Sequence, residues 1–178
     1  MRCFIGIDIS NDLKEKITKI QKRFSSFDIK LVEKQNLHIN LIFLGDIEND
    51  KIDLIKKIMD KISLKSFKVN INGAGAFPSL DYIRVVWLNI EPKENIIKMY
   101  NLLKEELKEL GFSEEKSYVP HLTIGRVKSN RNKDKLISLI KEQSYIGEME
   151  ISSIILFKSN LTPNGPVYEK LYVKSLFK

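Results

Sequence analysis

The segment Leu37-His38-Ile39-Asn40-Leu41 returns later in the chain as Pro120-His121-Leu122-Thr123-Ile124. Each copy is followed by a charged loop, an amphipathic helical stretch and two further strand-like runs. A repeated strand–helix–strand–strand unit restricts the fold sharply, because each copy must bury one face of its strands under helices. The repeat predicts an α+β protein of two pseudo-symmetric lobes. Each lobe would be an antiparallel sheet with helices on its outer face, and a groove would lie between the sheets. No low-complexity or linker-like stretch separates the copies, so 1–178 reads as a single domain made of two interleaved lobes. A length of 178 residues suits one sizeable core and is too short for two large independent ones.

Local patterns fill in the elements. A strand is expected over 2–9, then a helix with Leu13, Ile17, Ile20, Phe24 and Phe27 on one face and Ser10 or Asn11 as its cap. The first histidine segment gives a strand over 37–44. A second helix falls within 46–62, with Ile52, Ile55, Met59 and Ile62 at helical spacing. Strands over 66–73 and 82–90 are expected on either side of the glycine- and proline-bearing break at 73–79. Ile96, Tyr100, Leu103, Leu107 and Leu110 form a helical stripe, with Gly111 placed to stop it. The second copy continues with a helix over 132–143 and strands over 147–158 and 167–177.

The chain has two histidines, and they occupy matching positions in the two copies. A lone strand histidine more often pairs with a backbone carbonyl or solvent than does chemistry; two in repeated contexts reverse that weighting. In a strand, residues i and i+2 share a face. His38 therefore sits beside Asn40, and His121 beside Thr123. Two facing sheets would then bring together two imidazoles and two neutral groups able to donate to phosphate oxygens. An imidazole titrates near pH 6.5, so one histidine can act as base while the other acts as acid. One base and one acid are what in-line opening of a cyclic phosphate needs.

The remaining composition narrows the partners. Thirty Lys and Arg against 23 Asp and Glu give a net charge of +7, a field that favours polyanions such as nucleic acid. Cys3 is the only cysteine, which excludes a disulfide framework and a cysteine zinc cluster, and it reads as a core residue. No apolar run is long enough to span a bilayer, and no secretory leader is evident. A soluble cytoplasmic protein is expected. Phosphate-binding and dinucleotide glycine motifs are missing: Gly73-Ala74-Gly75-Ala76 lacks the Lys-Ser/Thr or third glycine they require.

The paired motifs His38-Ile39-Asn40-Leu41 and His121-Leu122-Thr123-Ile124-Gly125-Arg126, with the opening Arg2-Cys3-Phe4-Ile5-Gly6-Ile7 and the run Ile83-Arg84-Val85-Val86-Trp87-Leu88, resemble a known family. It is the 2H phosphoesterases, specifically the RNA 2',3'-cyclic phosphodiesterases also called 2'-5' RNA ligases. The resemblance covers nearly the whole chain. It implies a metal- and cofactor-free enzyme that acts on RNA 2',3'-cyclic phosphate ends, tRNA fragments among them, to leave a 2'-phosphate. It also implies ATP-independent ligation in reverse, with His38 as proton donor and His121 as acceptor. A monomer is expected.

Where the family usually has threonine, this chain has Asn40, whose amide can still donate to a phosphate oxygen. The resemblance also assigns Arg126 to the ligand, although strict alternation puts it on the face opposite His121 unless the strand bulges or ends there. Phe43 holds the equivalent position after His38, where an aromatic can stack on a base or join the core. Arg84, in an apolar strand, should face the groove or find a carboxylate. Two other readings fit the same residues: an RNA-end-binding module without turnover, and a phosphodiesterase for a small cyclic nucleotide.

Overall fold

A computed structural model of the chain describes residues 1–112 and 117–178. Its strands form two antiparallel sheets. The four-stranded sheet has the order β3-β1-β8-β9, from β1 (Arg2–Asp8), β3 (His38–Asp46), β8 (Ser153–Thr162) and β9 (Gly165–Ser175). The five-stranded sheet has the order β2-β6-β5-β4-β7, from β2 (Ile29–Leu31), β4 (Phe67–Pro78), β5 (Ile83–Glu91), β6 (His121–Val127) and β7 (Tyr145–Ile151).

The helices follow the apolar stripes. Helix α1 (Asn11–Phe24) starts where the Ser10 side chain accepts from the Leu13 amide, and it buries Leu13, Ile17 and Phe24. Helices α2 (Asn49–Asp60) and α3 (Glu94–Leu107) pack on each other and on the four-stranded sheet; α1 and α4 (Lys133–Glu142) pack on the five-stranded sheet. Gly111 ends the turn after α3 in the left-handed conformation, at φ 83°, which a glycine adopts without a Cβ penalty. One apolar cluster runs through both sheets and all four helices, from Cys3, Ile5 and Ile7 to Ile151, Ile154 and Leu156.

The two lobes are not the two halves of the sequence. The hairpin β4–β5, which follows the His38 strand in the chain, pairs beside the His121 strand; the hairpin β8–β9, which follows His121, pairs beside β1 and the His38 strand. The halves thus exchange their hairpins. Three local expectations change with this. Strand β4 runs without a break through Gly73 to Pro78, since a bulge between Ile71 and Ala74 absorbs the glycine. The run expected over 147–158 divides at Ser152 into β7 and β8, which lie in different sheets. The short β2, added to the edge of β6, had no pattern long enough to announce it.

The sheets approach along β3 and β6, the two histidine strands. Gln21 of α1, 4% exposed, fixes the five-stranded sheet here by donating from Nε2 to the Val32 and Ile124 carbonyls, each at 2.9 Å. Replacing Gln21 with leucine removes the side-chain donor of the part-buried Val32 carbonyl and one of two donors of the buried Ile124 carbonyl, which keeps the Val32 amide, and the expected loss is roughly 1–3 kcal/mol of stability, read as a lower urea midpoint with unchanged slope.

Candidate active site

Both histidine strands carry a bulge at the same place. Along β1 and β3 the register pairs Asp8 with His38, Gly6 with Asn40, and Phe4 with Phe43, so that Leu41 is an extra residue. Along β5 and β6 it pairs Asn89 with His121, Trp87 with Thr123, and Val85 with Arg126, so that Ile124 is the extra one. A bulge resets the alternation of side chains. His38, Asn40 and Phe43 therefore share one face, as do His121, Thr123 and Arg126, while Leu41 and Ile124 are fully buried. The irregularity that Arg126 needs to share a face with His121 is present.

Each imidazole is tied down in the same way. Nδ1 of His38 bonds the Asn36 carbonyl at 2.7 Å, and Nδ1 of His121 bonds the Val119 carbonyl at 2.7 Å. A carbonyl oxygen only accepts, so Nδ1 must carry the proton in both rings. The neutral form then holds its lone pair on Nε2. The carbonyl pairing expected of an ordinary strand histidine and the orientation required of an acid–base catalyst are here one and the same bond.

Aromatic walls hold the rings. His38 lies against Phe4, centroids 4.9 Å apart, and meets Tyr168 edge-on at 5.3 Å. Phe157 stacks behind Phe4 at 4.9 Å. His121 meets Phe77 edge-on at 4.9 Å and Trp87 at 6.2 Å. Two glycines make room. A Cβ on Gly6 would come within 2.9 Å of the Ile39 carbonyl, and one on Gly75 would strike the Trp87 ring at 2.4 Å. Tyr168 and Phe157 belong to the exchanged hairpin, so the His38 wall is built partly from the far half of the chain.

Burial in these walls lowers the pKa of His38 below the usual 6.5; the Asn36 carbonyl and Asp8 oppose the shift, while His121 and Lys14 add to it. Burial also lowers that of His121, the Val119 carbonyl opposes, and Arg126 adds to it. The two histidines thus lie within electrostatic reach of each other. Burial pushes the Tyr168 phenol upward, and Arg126 and Arg2 pull it back, so the Arg126 charge acts on groups from both sheets.

Asn40 is half-buried, its Oδ1 buried without a partner among the described residues, and its backbone carbonyl accepts from the Tyr118 hydroxyl at 2.8 Å. Phe43 is 64% exposed with its ring 6.2 Å from Phe4, so it is not a core residue. Arg84 is the bulged residue at the entrance of β5, where it stacks on the Tyr82 ring and donates to its hydroxyl, not to a carboxylate. Sequence reasoning passed over Phe4, Phe77, Tyr168 and Asp8. The alternation of the first strand placed Phe4, Gly6 and Asp8 on one face, but nothing in it said that the face was His38's. Among the described residues no group of three or more His, Cys, Asp or Glu is placed to hold a metal ion, and no helix is long and apolar enough to cross a membrane.

Known proteins share both the sequence and the architecture. A relative from Methanocaldococcus jannaschii named RNA 2',3'-cyclic phosphodiesterase is 44% identical over 171 residues, spanning 95% of this chain and 97% of its own. One of the same name from Methanothermobacter thermautotrophicus is 40% identical over 179 residues, spanning 97% of each. Among solved structures, Escherichia coli LigT complexed with 3'-AMP superposes with a TM-score of 0.86 at 23% identity, over 99% of this chain and 98% of that one, which extends the likeness to the fold. With residues 6–162 matching the 2'-5' RNA ligase superfamily and both histidine motifs inside that span, the chain belongs to that superfamily.

Proposed function

We propose that this protein hydrolyses 2',3'-cyclic phosphate ends of RNA to 2'-phosphate ends, with His38 and His121 as an acid–base pair. The observation that carries the reading is the matched Nδ1–carbonyl bond, which leaves Nε2 of both rings for chemistry in one groove. The name shared by the relatives, RNA 2',3'-cyclic phosphodiesterase, supports the substrate. So does the net charge of +7.

In the proposed step, neutral His121 takes a proton from water as the water oxygen bonds to phosphorus. The bond from phosphorus to the ribose 3' oxygen breaks, and protonated His38 supplies the proton that the departing oxygen needs. A 2'-phosphate and a 3'-hydroxyl result. Thr123 and the Asn40 amide donate to the non-bridging oxygens as negative charge builds. Arg126 offers a guanidinium to the phosphate, Phe43 and Tyr168 offer flat surfaces to a base, and Arg84 extends the cationic rim. With an RNA 5'-hydroxyl in place of the attacking water, the same in-line step forms a 2'-5' linkage as the bond from phosphorus to the ribose 3' oxygen breaks, and so joins two ends without ATP. We read the protein as a monomer of the cytoplasm, in keeping with its single buried cysteine, with tRNA fragments among its candidate substrates.

Incubation in EDTA with a short RNA ending in a cyclic phosphate should give a 2'-phosphate product. His38→Ala and His121→Ala should each lower turnover by at least about 10²- to 10⁴-fold while the fold is retained; near-normal turnover in either variant would remove the two-histidine mechanism. Tight RNA binding with no turnover in the unmodified protein would instead favour the binding-module reading. Burial lowers both histidines below 6.5. At low pH both are protonated and the base is lost, and at high pH both are neutral and the acid is lost. The profile of kcat/KM against pH should thus be a bell with its maximum on the acid side of 6.5. Asn40→Thr removes an orphaned buried oxygen and restores the hydroxyl usual at this position, so its rate should equal or exceed the parent's; a large loss would mean that Asn40 plays another part.

A further inference from the structure

The two half-sites match closely enough that their differences carry information. Both bulges, both Nδ1–carbonyl bonds and both hydroxyl- or amide-bearing neighbours correspond. Two matched positions differ in charge. Opposite His38 in the register stands Asp8, whereas opposite His121 stands Asn89. Five residues after His38 stands Phe43, whereas five after His121 stands Arg126. Each difference favours a proton on His38 over one on His121.

Asp8 is built into this place. Its Oδ1 accepts from the Ile9 amide at 2.9 Å and from Lys14 at 2.9 Å, and its Oδ2 accepts from Lys170 at 2.6 Å. Lys14 is 8% exposed, and burying a charge without reason is expensive. Burial alone would raise the Asp8 carboxyl, but the bonds from Lys170 and Lys14 hold it below the usual carboxylate range, so it stays ionised beside His38. Asn89, by contrast, is neutral and spends its amide on the Asn72 carbonyl and the Glu91 carboxylate.

We infer that Asp8, clamped by Lys14 from α1 and Lys170 from the exchanged hairpin, is a positioning residue that biases the otherwise symmetric pair and makes His38 the proton donor. The inference rests on the acid–base reading of the two histidines. The other groups acting on His38 are His121 from β6, Lys14, and the neutral Asn36 carbonyl, with the Tyr168 ring against its edge. Those acting on His121 are Arg126 and the Val119 carbonyl, with Glu91 one strand step beyond Asn89.

Having only two histidines makes the test direct. The Cε1–H signals, assigned by losing one each in His38→Gln and His121→Gln, can be followed by NMR from pH 4 to 9 without substrate. Asp8→Asn should lower the midpoint of His38 by about 0.5–1 unit and leave that of His121 unmoved. Lys170→Met, which unclamps the carboxylate, should move His38 the other way. Asn89→Asp should raise His121. A role for Asp8 that is merely structural predicts lower stability in the first two variants with no movement of either midpoint, and that result, or equal movement of both histidines, overturns the inference. If Asp8→Asn does not fold, the opposite shift in Lys170→Met decides alone. The titrations need no turnover, so the absence of activity on cyclic phosphate ends would count against the proposed function while leaving this test intact.

Discussion

The rest of the structure depends on the bulge three residues after each histidine. A regular strand with one face in the core shows every second side chain to the other side. Here the extra residue, Leu41 or Ile124, goes into the core, and the next outward side chain arrives a step late. Each strand thereby keeps its apolar side filled and still turns three groove residues outward, at the histidine and two and five positions beyond it. Gln21 holds the Ile124 carbonyl at one bulge, and the Tyr118 hydroxyl holds the Asn40 carbonyl beside the other. A bulge interrupts the ladder, and the Ile124 carbonyl there accepts from the Val32 amide as well as from Gln21.

The exchange of hairpins makes the groove a joint product of both halves. His38 leans on Phe4 from the first strand and on Tyr168 from the last, and Asp8 is held by Lys170 from that same last strand. Asn36 next to the His38 strand donates to the Pro166 carbonyl across the same gap at 2.8 Å. Neither half supplies a finished site. The chain has to close on itself before either imidazole is walled in.

Near-symmetry sets a chemical condition on the proposed acid–base pair. Two imidazoles in identical settings would lose their protons together, and an acid–base pair needs them in opposite states. Burial lowers both. The Asp8 carboxylate opposes that shift at His38, and the Arg126 guanidinium adds to it at His121. The Arg126 guanidinium that disfavours a proton on His121 also has the charge and shape that suit a phosphate.

Much of this is legible in the amino-acid sequence itself. The duplicated histidine segments indicated two sheets, the apolar stripes from Leu13 to Phe27, Ile52 to Ile62 and Ile96 to Leu110 indicated their helices, and the spacing of two placed Asn40 and Thr123 beside the histidines. These are local properties, set by side-chain periodicity and chain chemistry. The sequence alone also determined that Arg126 could share a face with His121 only through a bulge or a strand end, and the register chose the bulge. Which hairpin joins which sheet, the short strand at 29–31, the division at Ser152, and the company kept by His38 were decided by tertiary structure. Antiparallel pairing joins residues far apart in the chain, and no local pattern records the partner: Asp8 meets Lys170 because β1 and β9 flank β8.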